Sequence, residues 1–153
     1  MQSQDLYVSE DIGIGGANNK FTATGDKIGL AGFLPEDLDT SSPIKLQFTG
    51  LASASNTIEW TVRWAWVQEG DPLTTGEPGA IDNSRVTIVS KELTLNTVSI
   101  IEVLLDVSEM VAKREAGFGD QIWISIQPST MSGSFSLGPS QATYTKWNNG
   151  GHI

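Results

Sequence analysis

The sequence predicts an all-β protein, a jelly-roll-like antiparallel β-sandwich with one short helix and an extended N-terminal arm. Three observations carry that expectation. About eight short segments read as strands, divided by clusters of Gly, Pro, Asn, Asp and Ser. One of them, residues 58–67, alternates apolar and polar side chains without a break. Only one segment has the spacing and end signals of a helix. At 153 residues the chain has the length of one domain. A chain of this size buries roughly 70% of its unfolded surface and needs no covalent staple. It has none, because Cys is absent, which also excludes thiolate metal sites.

Residues 1–25 are poor in large apolar side chains. Gly13, Gly15, Gly16, Asn18 and Asn19 make a turn-prone hinge. Leu6, Tyr7 and Val8 are the apolar cluster before it. The sequence therefore predicts an arm over 1–25 and a sandwich domain over 26–153. The arm is expected to dock on a neighbouring subunit, inserting that cluster or adding a strand there.

Strands are expected over 27–33 and 44–49, with turn-forming residues at 34–37 and 40–43. In 58–67, Ile58, Trp60, Val62, Trp64 and Trp66 share one face, and Glu59, Thr61, Arg63 and Ala65 the other. That is a strand of ~33 Å with a core-facing Trp row. β-Branched aliphatics between the rings suit a core better than a sugar-stacking platform. A loop rich in Gly, Pro and Thr fills 68–83, and strands follow over 84–91 and 97–105. The latter has Ile101, Val103 and Leu105 on one face and Val98, Ile100 and Leu104 on the other. Two apolar faces imply a strand covered on both sides, or a bulge that switches phase.

The helix is expected from Asp106, a cap, through Glu109, Met110, Val111, Lys113 and Arg114 to a stop at Gly117. Its role is to close one end of the core. Strands over 121–127, 134–137 and 141–147 complete the chain. In 121–127 the apolar face belongs to Ile122, Ile124 and Ile126, so Trp123 points outward. An outward Trp marks a ligand contact or a subunit interface. Ile100, Leu104 and Trp123, with Leu6, Tyr7 and Val8 of the arm, are the expected interface residues.

Several function classes are disfavoured. Nine Lys and Arg against 18 Asp and Glu give a formal charge of −9. Such a chain repels phosphate backbones and anionic lipid, so neither nucleic acid nor membrane is an expected partner. No apolar run approaches the ~20 residues of a membrane helix. The N-terminus has neither the basic nor the apolar region of a signal peptide, so synthesis in the host cytoplasm without export is expected.

No catalytic residue is expected, nor any cofactor or resident metal. The one His, His152, is next to the C-terminal residue rather than within an element that would hold a general base. The run Gly13–Gly16 lacks the rest of either nucleotide-binding motif. Ser42-Pro-Ile-Lys45 lacks the companion motifs of its enzyme class. Asp37-Leu-Asp39 opens like a calcium loop, but Ser42 replaces the obligatory Gly and Phe48 the final Glu. Glu69, Asp71 and Asp82 leave room for a looser loop calcium. Glu59 and Glu102 are the one carboxylate pair that suits a jelly-roll glycanase, which requires ~5–9.5 Å between them. The alternative is structural, with Glu102 paired to Arg63 or Arg85, or facing solvent.

The stretch from Ile58 to Asp71, with its three Trp and its Gly70-Asp71 turn, is followed by two strands over 86–105. Gly119-Asp120 then leads into the alternating segment that ends at Ile126. Over residues 26–127 this succession resembles a jelly-roll module of tailed-bacteriophage virion proteins. The resemblance implies a structural protein of the virion and no catalytic residues. It implies either a capsid decoration (cement) protein, a homotrimer bound to the major capsid protein, or a carbohydrate- or receptor-binding module of a tail fibre. The end of the chain, from Tyr144 to Ile153, departs from that pattern.

Overall fold

The structure, a computed structural model, describes residues 2–6, 9–10, 20–34, 38–39, 41–70, 84–108 and 120–146. Among the described residues ten strands run in order: β1 (Gln2–Leu6), β2 (Ser9–Glu10), β3 (Lys20–Phe21), β4 (Ile28–Phe33), β5 (Ile44–Ala52), β6 (Asn56–Val67), β7 (Ser84–Leu93), β8 (Val98–Leu105), β9 (Gln121–Thr130) and β10 (Phe135–Lys146). They form two antiparallel five-stranded sheets packed as a sandwich. The front sheet has the order β1-β10-β5-β8, with β3 also paired to β10, and the back sheet β2-β4-β9-β6-β7. The fold class is as expected.

Alternation explains the layering. Ile58, Trp60, Val62, Trp64 and Trp66 of β6 face the core, as do Ile122, Ile124 and Ile126 of β9. Leu46 and Phe48 of β5, with Ile101, Val103 and Leu105 of β8, meet them from the front sheet. Trp60 is the centre of this layer. The rings of Phe21, Phe48 and Phe135 stand edge-on to it at centroid distances of 5.2, 5.2 and 4.9 Å. Edge-to-face contacts of this kind add to the burial of area. Where the Phe135 ring crosses β5 only a glycine fits, since a Cβ at Gly50 would lie 2.2 Å from the Ser136 carbonyl oxygen.

Connectivity decides where the sheets end. From β6 the chain stays in the back sheet for β7, then crosses to the front sheet as β8 through a turn at residues 94–97. Asn96 takes the left-handed conformation there, φ 55°. Leucine 95's N–H donates to Ser55 Oγ at 2.9 Å and Asn96 N–H to the Ala52 carbonyl at 3.1 Å, which fasten the turn to the end of β5. Among the described residues β7 and β8 are therefore the last strands of their sheets on the same side of the sandwich.

Three expectations need correction. The described residues among 1–25 do not stand apart from the sandwich. β1 pairs with β10 (Leu6 opposite Ala142), β2 with β4 and β3 with β10. Phe21 is fully buried in the core, so the domain reaches further toward the N-terminus than residue 26. Short polar segments have little periodicity, and these strands are specified by the free edges they meet. Tyr7 and Val8 lie outside the described residues. Second, 134–137 and 141–147 are one strand, β10, with a register shift between Leu137 and Ser140 at Pro139; Trp147 lies outside the described residues. Third, the strand containing Leu104 has no bulge, since its pairing with β5 runs unbroken from Ile44–Leu105 to Leu51–Val98. Of the expected helix, residues 106–108 are described. Ser108 N–H donates to the Asp106 carboxylate at 3.1 Å as a cap should, and residues 109–117 lie outside the described residues.

Candidate functional site

The exposed apolar surface gathers on the two outer faces that flank the β7–β8 side. On the front, β8 turns Val98, Ile100 and Leu104 outward, 69%, 53% and 52% exposed. Leu51, opposite Val98 on β5, extends the stripe. Glu102 interrupts it. Its carboxylate is 3.9 Å from Lys45 Nζ and accepts a 3.3 Å hydrogen bond from Gln47 Nε2. Both partners are on β5, on the same outer face.

On the back, β7 turns Val86 and Ile88 outward, 50% and 61% exposed. They lie opposite Arg63 and Thr61 of β6. Among the described residues Arg63 has neither an ion pair nor a hydrogen bond from its side chain. Trp123 is on this face too, across β6, between Ala65 and Ala31 of the neighbouring strands. It is half-buried, and its indole N–H donates to Gln121 Oε1 at 2.8 Å. Phe33, also exposed, is opposite Gln121.

The expected interface residues thus fall on three places. Ile100 and Leu104 come together on the front stripe. Trp123 is on the opposite outer face, and Leu6 is at the far edge of the front sheet, in β1. Val86, Ile88 and Arg63 were not expected as a site. Their signal is in the sequence, because Val86-Thr-Ile-Val89 has apolar residues on both faces, as β8 does.

The acidic candidates separate. Glu59 is on the outer face of the back sheet, where its carboxylate accepts a 2.9 Å hydrogen bond from Ser129 Oγ. Glu102 is on the outer face of the front sheet, so the whole sandwich lies between them. They form no glycosidase pair, and Arg63 is out of Glu102's reach within one chain. Among the described residues no group of three or more His, Asp or Glu comes together as a metal site. Asp71, Asp82 and Asp37 lie outside those residues.

Two buried carboxylates are structural. Asp120 accepts the Trp66 indole N–H at 2.7 Å and the Gln68 amide at 3.2 Å, locking the end of β6 to the start of β9. Burial opposes ionisation of Asp39, but bonds from Ser41 N–H (3.0 Å) and the Ser41 and Ser42 hydroxyls outweigh it. They hold its pKa below the ordinary carboxylate value. Asp26 is likewise lowered, by hydrogen bonds from Thr22 and then Ala23. Beside Asp39, the front face has a shallow pocket of about 270 Å³ lined by Ser42, Pro43, Lys45, Leu104, Thr143, Tyr144 and Thr145. No helix among the described residues is long and apolar enough to cross a membrane.

No family model matches the chain, and no curated protein does. Solved structures do. A chain in the structure of infectious bursal disease virus, Gx strain, superposes with a TM-score of 0.53 at 15% identity. The match covers 97% of this chain and 33% of the viral one, so the present chain spans about a third of that protein's length. The CBM36-1 domain of a multidomain xylanase from the hindgut metagenome of Trinervitermes trinervoides gives 0.45 at 9% identity, over 94% of this chain and 97% of that one. A family 16 carbohydrate-binding module gives 0.32 at 11%, over 92% and 84%. At 15% identity the likeness to the viral chain is one of fold, a jelly-roll sandwich.

Proposed function

We propose that the protein is a structural protein of a phage virion, a capsid decoration protein that sits on the capsid surface as a homotrimer. One observation carries the reading. The outer face of β8 exposes three large apolar side chains, Val98, Ile100 and Leu104, interrupted by Glu102, on a chain that is otherwise strongly acidic. A lone domain in water gains nothing from such a row, whereas a subunit of an assembly buries it. The viral neighbour adds a sandwich of the same fold. Mass spectrometry of purified particles tests the proposal. It should find this chain in a fixed ratio to the major capsid protein, and its absence from particles would overturn it.

A second reading has its own support. The pocket between Ser42 and Thr145 presents hydroxyls and an ammonium beside Leu104 and Pro43, which suits a sugar ring and a role as a glycan- or receptor-binding module. Binding on a glycan array that is lost in Thr143→Ala would favour it over decoration.

A further inference from the structure

The front stripe and the back patch flank the same side of the sandwich, and one charged residue beside each apolar row is of opposite sign. The front has Glu102 among Val98, Ile100 and Leu104, held only at 3.9 Å by Lys45. The back has Arg63, unpaired among the described residues, beside Val86 and Ile88. We propose that the front stripe of one copy docks on the back patch of the next, with Glu102 facing Arg63 across the contact. The inference rests on the homotrimer reading above and specifies its contact.

Three features favour a second copy in this head-to-tail manner. First, Arg63 is a cation left without a counter-ion in a chain of 18 acids and nine bases, and the acid that would complement it is in the opposite stripe. Second, the symmetric alternatives are worse. Front against front leaves Arg63 and the back patch uncovered, and back against back leaves Glu102 and the front stripe uncovered. Third, β8 has only one of the devices that protect a free edge, the charged side chain of Glu102. It has no Pro, no Lys and no bulge, and four of its eight residues are β-branched Val or Ile. By contrast, the strands at the other ends of the sheets, β1 and β2, have five and two residues. A contact between different surfaces repeats from copy to copy, and closes as a ring when the rotation between neighbours divides a full turn.

Charge exchange tests this on the full chain, with light scattering across a dilution series and a thermal melt of each variant. Arg63→Glu and Glu102→Arg should each weaken assembly by about thirtyfold or more, as loss of an interfacial charge pair does. The double variant should restore assembly to within about threefold of the parent. Ile88→Ser and Leu104→Ser, which leave the charges alone, should weaken it while melting near the parent. A monomeric parent, single variants that assemble normally, or a double variant no better than the singles would each overturn the proposal. Where a charge variant lowers the melt, the two Ser variants decide alone. Particle association is a separate measurement, so failure of the contact and failure of the virion assignment are told apart.

Discussion

Trp64 and Trp123 show how far one residue's environment can be read from its neighbours in sequence. Both are in strands of alternating pattern, but Trp64 shares its face with Val62 and Trp66, and Trp123 shares its face with Ser125 and Gln127. The structure buries the first and leaves the second half-exposed on the outer face. Trp64→Ala should therefore lower folding stability by ~3–5 kcal/mol, as truncation of a core aromatic does. Trp123→Ala should leave the melt close to the parent; equal losses would refute the assignment of faces. Asp120 and Asp39 were less legible. A Gly-Asp pair reads as a turn, and nothing in the sequence says that its carboxylate reaches an indole 54 positions earlier. The lowered pKa of Asp39 has a consequence for acid stability. A carboxyl more acidic in the folded than in the unfolded chain stabilises the fold above its unfolded value, near 4, and ceases to as pH falls through the folded value. Urea unfolding at a series of pH values should show stability falling below about pH 4. The fall should be shallower in Asp39→Asn, which starts from a lower stability at neutral pH. Identical slopes would show that the Ser41 and Ser42 bonds contribute nothing to ionisation.

Among the elements, the long alternating strands were legible and the short ones were not. β6, β8 and β9 have enough residues for period-two alternation to stand out, and one face of each is covered by the other sheet. β1, β2 and β3 have few residues and polar composition, so their pairing depends on backbone edges that only the folded sandwich supplies. The structure consequently reverses one expectation about the N-terminal segment. A chain beginning at Ala17 removes β1 and β2 but keeps Phe21, whereas one beginning at Thr24 also removes that ring from against Trp60. The second should be less stable than the first by ~3–5 kcal/mol. Equal melts for the two would return Phe21 to the surface and restore the boundary at residue 26. The two-faced pattern of β8 was visible from the start, but its meaning was not. Sequence alone allows a covered strand or a bulge, and it takes the unbroken register with β5 to show a regular strand at the sheet's end with its outer side chains in solvent.

For the whole molecule, the sandwich, its core and the class of fold follow from pattern, while the association state depends on where the sheets end. The charge of −9 opposes gathering copies together, and it makes the locally balanced faces beside β7 and β8 the favoured place for contact. Repulsion between acidic copies is screened by salt, whereas burial of Val98, Ile100 and Leu104 is not weakened by it. The most direct measurement is sedimentation equilibrium of the full chain at tens of micromolar and near-physiological salt. An assembly of three copies is the predicted result. A single species of one chain's mass, unchanged by concentration, would contradict the claim that these outer faces exist to be covered by another copy.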